Sequence, residues 1–428
     1  MSDVLPAELT DAMALDFASH RQRFLEALPS DGIAILFSGR PLLRTADEHY
    51  RYAPNHNYYY LTGLDRENQV VVLTRRGSER TATVFIEPVD PLAEAWTGRM
   101  MTAEQARALS NIDAIEVLDR WLPFVNRLIE SGHYPTVYLD LEHREWDGPP
   151  SDAIRFAHRL VEKHPGTPVR NAFPILAEAR RIKSAGEIAR VAAAIAHTKA
   201  GLAALLAHTR PGVREFQLNG HFTGTLLGGG ASLAYPPIIA AGGNAAVLHY
   251  TTLRDPVQAG DLVLVDAAAA FGYYKADITR TFPADGTFTE AQRAIHDLVG
   301  EASHEVIAAM RPGVPHRELQ NLTRQVLGRG MKALGYLRDE SDVGQYYFHG
   351  VSHYLGLDTH DVGEYRELEP GMVLTVEPGL YLKEKGLGVR IEDDILITAD
   401  GVEVLSDGIP RDARGMEQWM AELRATQS

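Results

Sequence analysis

The segments Gly260-Asp261-Leu262-Val263-Leu264-Val265-Asp266 and Gly371-Met372-Val373-Leu374-Thr375-Val376-Glu377 read as one pattern written twice: a glycine, a mostly apolar run, then a carboxylate six places on. Each is followed by a second strand-like run with another carboxylate, residues 276–282 carrying Asp277 and residues 389–397 carrying Glu392. Apolar runs of this length bounded by turn formers predict strands. The repetition predicts a domain of two related halves, each offering a β-hairpin with two inward carboxylates. Asp and Glu are seldom fully buried unless paired or metal-bound. Taken singly, each has a plain structural reading: Asp266 and Glu377 as strand-end residues capping turns, Asp277 and Glu392 as partners of Arg280 and Arg390. Four carboxylates converging on one cavity, however, would raise one another's pKa values unless cations neutralised them. Metal is the economical reading.

Before the second run stands Phe348-His349-Gly350-Val351-Ser352-His353-Tyr354-Leu355-Gly356-Leu357-Asp358-Thr359-His360-Asp361-Val362-Gly363, with three of the chain's 17 histidines among glycines and small apolar residues. Their spacing alone leaves metal binding, proton transfer and a half-buried face open. With His353 the carboxylates become a hard, oxygen-rich set holding one nitrogen, suited to manganese (Mn2+) and also to Co2+, Fe2+ or Zn2+. Five ligands exceed what one catalytic ion with open positions needs, but suit two divalent metal ions sharing bridging carboxylates. Two such ions can hold a bridging water as hydroxide at neutral pH and polarise a carbonyl. The implied reaction is hydrolysis.

At 428 residues the chain is long enough for two or three domains. The absence of cysteine excludes thiolate catalysis, disulfides and Cys-bound metal. A formal charge of −15 argues against nucleic acid as a partner. The first residues have neither a basic segment nor an apolar one, and no uninterrupted apolar run is long enough for a membrane span, so a cytoplasmic location without membrane association is expected. Residues 1–30 read as helical, with Met13, Phe17, Phe24, Leu25 and Leu28 near helical spacing. Residues 32–37, 69–74, 81–86 and 136–140 read as strands, and a helix follows Thr102. This predicts an α/β fold (α+β overall), with an N-terminal mixed-sheet domain over 1–174. From 175 to about 208 one long helix or two are expected, broken where Ser184 and Glu187 match a capping box. Residues 175–428 form the second domain.

Asp266, Asp277, His353, Glu377 and Glu392, with Leu248-His249-Tyr250-Thr251, residues 277–282, the three-histidine stretch and Glu377-Pro378-Gly379-Leu380-Tyr381, resemble the proline-specific metallopeptidases of the pita-bread fold, aminopeptidase P most of all. Arg44-Thr45-Ala46-Asp47 and Asn57-Tyr58-Tyr59-Tyr60-Leu61-Thr62-Gly63 extend the likeness through the N-terminal domain. The resemblance implies an Xaa-Pro aminopeptidase acting on peptides with proline at the second position. Prolidase, which takes only dipeptides, is the alternative within the class, and a non-catalytic peptide- or protein-binding module the alternative outside it. By the same resemblance Asp266 is a ligand of one metal, His353 and Glu377 of the other, and Asp277 and Glu392 bridge them. Glu377 also takes and returns the proton of the attacking hydroxide. His249 and His360 orient the substrate carbonyl and stabilise the oxyanion. His349, Tyr381 and Arg390 line the proline pocket, though Arg390 could also simply pair with Glu392, and Tyr235 stands near the substrate's N-terminal residue. Ala95-Trp96-Thr97-Gly98-Arg99 is similar to a loop whose Trp approaches a neighbouring subunit, which implies a homo-oligomer, dimer or tetramer. The Lys383-Glu384-Lys385-Gly386 connection looks shorter than in some relatives, which bears on the pocket rim, and residues 172–175 depart from the family.

Overall fold

The computed structural model describes residues 7–143 and 145–426, with side chains from residue 16 onward. The chain divides into two compact units, Met1–Arg180 and Arg181–Ser428. The first opens on the helix Ala7–Ala27, whose Phe17, Phe24 and Leu25 are buried at the expected spacing, while Met13 lies outside the described side chains. Its six-stranded mixed sheet runs in the order Ala114–Val117, Glu79–Ile86, Val70–Arg76, Gly32–Phe37, Val137–Leu139, Val169–Asn171. The central strand Gly32–Phe37 is antiparallel to Val70–Arg76 and parallel to Val137–Leu139. Both faces are covered, so these strands are apolar throughout rather than alternating. The helix after Thr102 is Ala103–Ser110, begun by a capping box between Thr102 and Gln105.

The helical stretch expected from residue 175 is two helices, Phe173–Arg181, with which the first unit ends, and Ala185–His208 in the second. The break is where the capping box falls: Ser184 Oγ accepts from the Glu187 N–H at 3.2 Å and the Glu187 carboxylate accepts from the Ser184 N–H at 2.8 Å. Ala185–His208 is long and apolar enough by composition to cross a membrane. In this fold it packs on the helix Glu215–Gly228 and on the small strand Ala269–Phe271, burying Val191, Ile195, Leu202 and Leu205.

The two halves of this unit repeat one order of elements. Two packed helices come first, Ala185–His208 with Glu215–Gly228 and then Glu290–Ala309 with His316–Ala333. An antiparallel strand pair follows in each, interrupted by a small inserted hairpin. Leu262–Asp266 pairs with Thr279–Pro283 around the insert Ala269–Phe271/Tyr274–Lys275, and Val373–Val376 pairs with Asp393–Ile397 around Gly379–Leu382/Leu387–Arg390. The simple hairpins expected from the sequence are therefore corrected in one respect: the carboxylates stand where strands end. Asp266 closes its strand, Asp277 precedes Thr279–Pro283, Glu377 directly follows Val376, and Glu392 occupies the gap between Arg390 and Asp393. A strand end lets a carboxylate turn toward a cavity instead of burying its charge between packed layers. The halves meet at a bridge where the Glu392 N–H donates to the Thr279 carbonyl at 3.0 Å.

Candidate active site

These strand ends open on a cavity of about 400 Å³. Asp266, Asp277, Glu377, Glu392, His249, His349, His353, His360 and Arg390 all line it, although they come from distant parts of the chain. Tyr235 and Tyr381 are hydrogen-bonded to lining groups. Tyr365 and Ser352 also line the cavity and were not singled out from the sequence as site residues. Tyr365 lies two residues past Gly363, at the edge of the histidine stretch, which was the one available signal.

Asp277, His353 and Glu392 each offer a ligand atom, and these atoms lie within 4.8 Å of one another. Burial drives the His353 imidazole down to about 4, so the ring is neutral at neutral pH. Its Nδ1–H donates to the Tyr354 carbonyl at 3.0 Å. Nε2 therefore presents a lone pair, at 3.5 Å from Asp277 Oδ2 and 3.4 Å from Glu377 Oε1. Burial and the nearby Asp266 carboxylate push Asp277 well above the usual carboxylate range. Burial and Glu392 do the same to Glu377, and burial with Asp277 to Glu392. Lone pairs converging from buried carboxylates and a neutral imidazole are the donor set a divalent cation needs, and they fit one.

Tyr235 Oη lies 2.7 Å from Asp266 Oδ1 and 2.6 Å from Asp277 Oδ1. One hydroxyl hydrogen cannot serve both carboxylates at once.

Two ion-pair readings from the sequence are corrected here. Arg390 pairs with Asp266, Nη2 to Oδ2 at 2.6 Å, rather than with Glu392. Glu392 instead accepts from Thr279 Oγ1 at 2.6 Å. Arg280 pairs with Asp393 at 2.7 Å rather than with Asp277. Arg390 also donates through Nη1 to Tyr381 Oη at 2.9 Å. An arginine can only donate, so Tyr381 keeps its hydrogen for His349 Nε2, 2.9 Å away. That leaves His349 with its proton on Nδ1, donated to the Gly350 carbonyl at 2.7 Å. Burial brings His349 down to about 4 and Tyr381 up to about 12, which keeps both neutral.

His360 sets its ring edge-to-face against His353, centroids 4.3 Å apart, and burial followed by the neighbouring His249 lowers its pKa. His249 follows the turn Gly242–Ala246, in a loop tethered by a residue the sequence gave no reason to choose. Fully buried Glu215 accepts from the Ala241 and Asp255 N–H groups, Asn244 Nδ2 and Tyr250 Oη, at 2.7–3.0 Å. Every lone pair of that carboxylate is used, which offsets the cost of burying it.

Residues 189–399 match the model of metallopeptidase family M24, and residues 17–138 that of the aminopeptidase P N-terminal domain. The Xaa-Pro aminopeptidase of Escherichia coli is 33% identical over 96% of this chain and 98% of its own length. The chain belongs to metallopeptidase family M24. Among solved structures, this family member is similar to a candidate aminopeptidase P from Bacillus anthracis, at 41% identity and a TM-score of 0.94 over 96% of this chain and 99% of that one. It is also similar to E. coli aminopeptidase P with the inhibitor Pro-Leu, at 31% identity and a TM-score of 0.87 over the same shares. Membership makes it a metal-dependent hydrolase, in keeping with the Asp277–His353–Glu392 cluster.

Proposed function

We propose that this chain is an Xaa-Pro aminopeptidase, which hydrolyses the bond between an N-terminal residue and a following proline. The observation that carries the reading is the convergence of Asp266, Asp277, His353, Glu377 and Glu392 on one cavity in a chain whose full-length relative is an Xaa-Pro aminopeptidase. Asp266 on one side, His353 and Glu377 on the other, and Asp277 and Glu392 between them would hold two divalent ions, Mn2+ by preference. When bound, the ions supply Lewis acidity and a water activated at neutral pH. His249 and His360 orient the scissile carbonyl and donate to its oxygen as negative charge develops there. Glu377 takes the proton of the attacking water and returns it to the proline nitrogen as the C–N bond breaks.

That nitrogen belongs to a tertiary amide without an N–H, so a site that reads the N–H of an ordinary peptide gains nothing from it. His349, Tyr381 and Arg390 form the wall that reads the ring instead, and Tyr235 lies toward the N-terminal residue. A dipeptidase needs a cationic group for the substrate's free carboxylate. Among the lining residues the Lys/Arg type is represented by Arg390 alone, and it is committed to Asp266, Tyr381 and Thr279. This supports longer peptides as the substrates. Hydrolysis of Ala-Pro-Ala-Ala alongside Ala-Pro tests this, and a protein that cleaves only the dipeptide contradicts it.

The protein works in the cytoplasm as a homo-oligomer, a dimer or tetramer. The exposed Trp96, at 86% of its full accessibility, stands one helical turn from the exposed Leu92 on the helix Pro91–Thr97, and two large apolar side chains bared on one face support the second point. Light scattering that returns a monomer, or fractionation that returns the protein outside the cytosol, would overturn the respective statement.

A further inference from the structure

We infer that Gln320 is a positioning residue that sets where the imidazole of His349 stands in the cavity. The inference rests on the reading of His349 as a wall of the proline pocket. Gln320 projects from the helix His316–Ala333. Its Nε2 donates to the His349 carbonyl at 3.1 Å, and its Oε1 accepts from the Val351 N–H at 2.8 Å and from Tyr347 Oη at 3.2 Å. All three partners lie within residues 347–351, a segment that belongs to no strand. Its backbone groups have no ladder to satisfy them, and the carboxamide takes the place of one. Donating to residue i and accepting from residue i+2 is what a neighbouring strand would do.

The grip continues past the loop. The Val351 carbonyl accepts the Glu377 N–H at 2.8 Å, so the main chain after His349 is held from the helix on one side and from a strand end on the other. The imidazole itself is fixed at both nitrogens, by Gly350 and Tyr381. With both nitrogens fixed, the place of the ring follows the backbone beneath it, and Gln320 holds that. A carboxamide is the side chain that presents a donor and an acceptor on one uncharged fork, whereas a carboxylate would set an acceptor against the His349 carbonyl. Gln320 is not among the residues that line the cavity, so it acts on substrate through the segment it holds, where His349 stands. Shifts of an ångström in a pocket wall are enough to weaken binding of a rigid ring.

Two substitutions test this in the metal-loaded, full-length protein. Gln320→Met keeps length and volume and removes all three hydrogen bonds; Gln320→Glu keeps the acceptor for Val351 and Tyr347 and loses the donation to His349. The readouts are kcat and KM for Ala-Pro-Ala, the Kd of the dipeptide Pro-Leu by titration calorimetry, and bound metal. KM and the Pro-Leu Kd should rise together, about tenfold, in both variants, with kcat within about twofold of wild type and metal content unchanged. Unchanged KM and Kd in either folded variant overturns the inference, as does a loss of kcat that merely follows loss of metal. If Gln320→Met does not fold, Gln320→Glu decides. Wild-type protein that does not turn over Ala-Pro-Ala would sink the functional reading itself, whereas active wild type with indifferent variants sinks only the role of Gln320.

Discussion

The Arg390 guanidinium ties the two halves of the catalytic unit together by donating to Asp266 at 2.6 Å while holding Tyr381 Oη at 2.9 Å and Thr279 Oγ1 at 3.2 Å. One fork thus orients Asp266, a proposed metal ligand, and, through Tyr381, the His349 ring. A lysine carries the charge but not the fork. Arg390→Lys is expected to lower kcat/KM by about 10–100-fold and to weaken metal binding measurably by calorimetry. Near-wild-type kinetics would show that the three contacts are not used.

Divalent-ion affinity should rise with pH. Asp277, Glu377 and Glu392 are all raised well above the usual carboxylate range in the metal-free protein, and a carboxylate must lose its proton to become a ligand. Each proton released on binding steepens the dependence by about tenfold per pH unit until the carboxyls are ionised without metal. Calorimetry in two buffers of different ionisation enthalpy counts the protons. The chelated protein should be inactive and recover with manganese. Affinity independent of pH would contradict the raised carboxyls.

Lys183 and Asp361 form an ion pair at 3.0 Å with both side chains essentially inaccessible, 0% and 1%. Asp361 adjoins His360, and Lys183 also lies 5.8 Å from the Tyr354 ring centroid. Lys183→Met takes the ammonium away from a buried carboxylate and should cost about 3–5 kcal/mol in urea denaturation. Lys183→Met with Asp361→Leu should recover most of that loss, since apolar replacement of both partners removes the desolvation penalty. A single-variant cost below about 1 kcal/mol would argue that solvent reaches the pair.

His296 is buried on the helix Glu290–Ala309, and burial depresses its pKa to about 4. Its folded form resists a proton that the unfolded chain accepts near 6.5. Between these values the unfolded state binds more protons, so stability falls as pH drops from about 6.5 toward 4, by up to about 1.4 kcal/mol per pH unit from this residue. Above pH 7 it contributes no slope. Thermal melts of wild type and His296→Gln between pH 7 and 5 should show a shallower decline in the variant, and parallel declines would rule this histidine out.

Much of the site was legible from local pattern. A carboxylate at the same place in two apolar runs is written into the chain, as are the capping box at Ser184 and the histidine stretch. Burial makes such features conspicuous, because a charge in an apolar run has to be explained by a partner. Partner choice was not legible. Arg390 and Glu392 are two residues apart and on paper a natural pair, yet the strand break at Ile391–Glu392 sends one side chain to Asp266 and the other to Thr279. Glu215 and Gln320 carry no local signal either, since their value lies wholly in what the fold brings against them.

What the sequence by itself determined is which groups meet in the cavity, four carboxylates in a repeated frame and the histidine stretch, and the class of metal-dependent hydrolase. Tertiary structure alone decided the arrangement around them, with Tyr235 between Asp266 and Asp277, Arg390 on Asp266, and His349 held from a distant helix. The division has a physical cause. Donor type and burial tendency are properties of a residue and its near neighbours, whereas hydrogen-bond partners more than a hundred positions apart, as Arg390 and Asp266 are, exist only once the two halves have closed on each other.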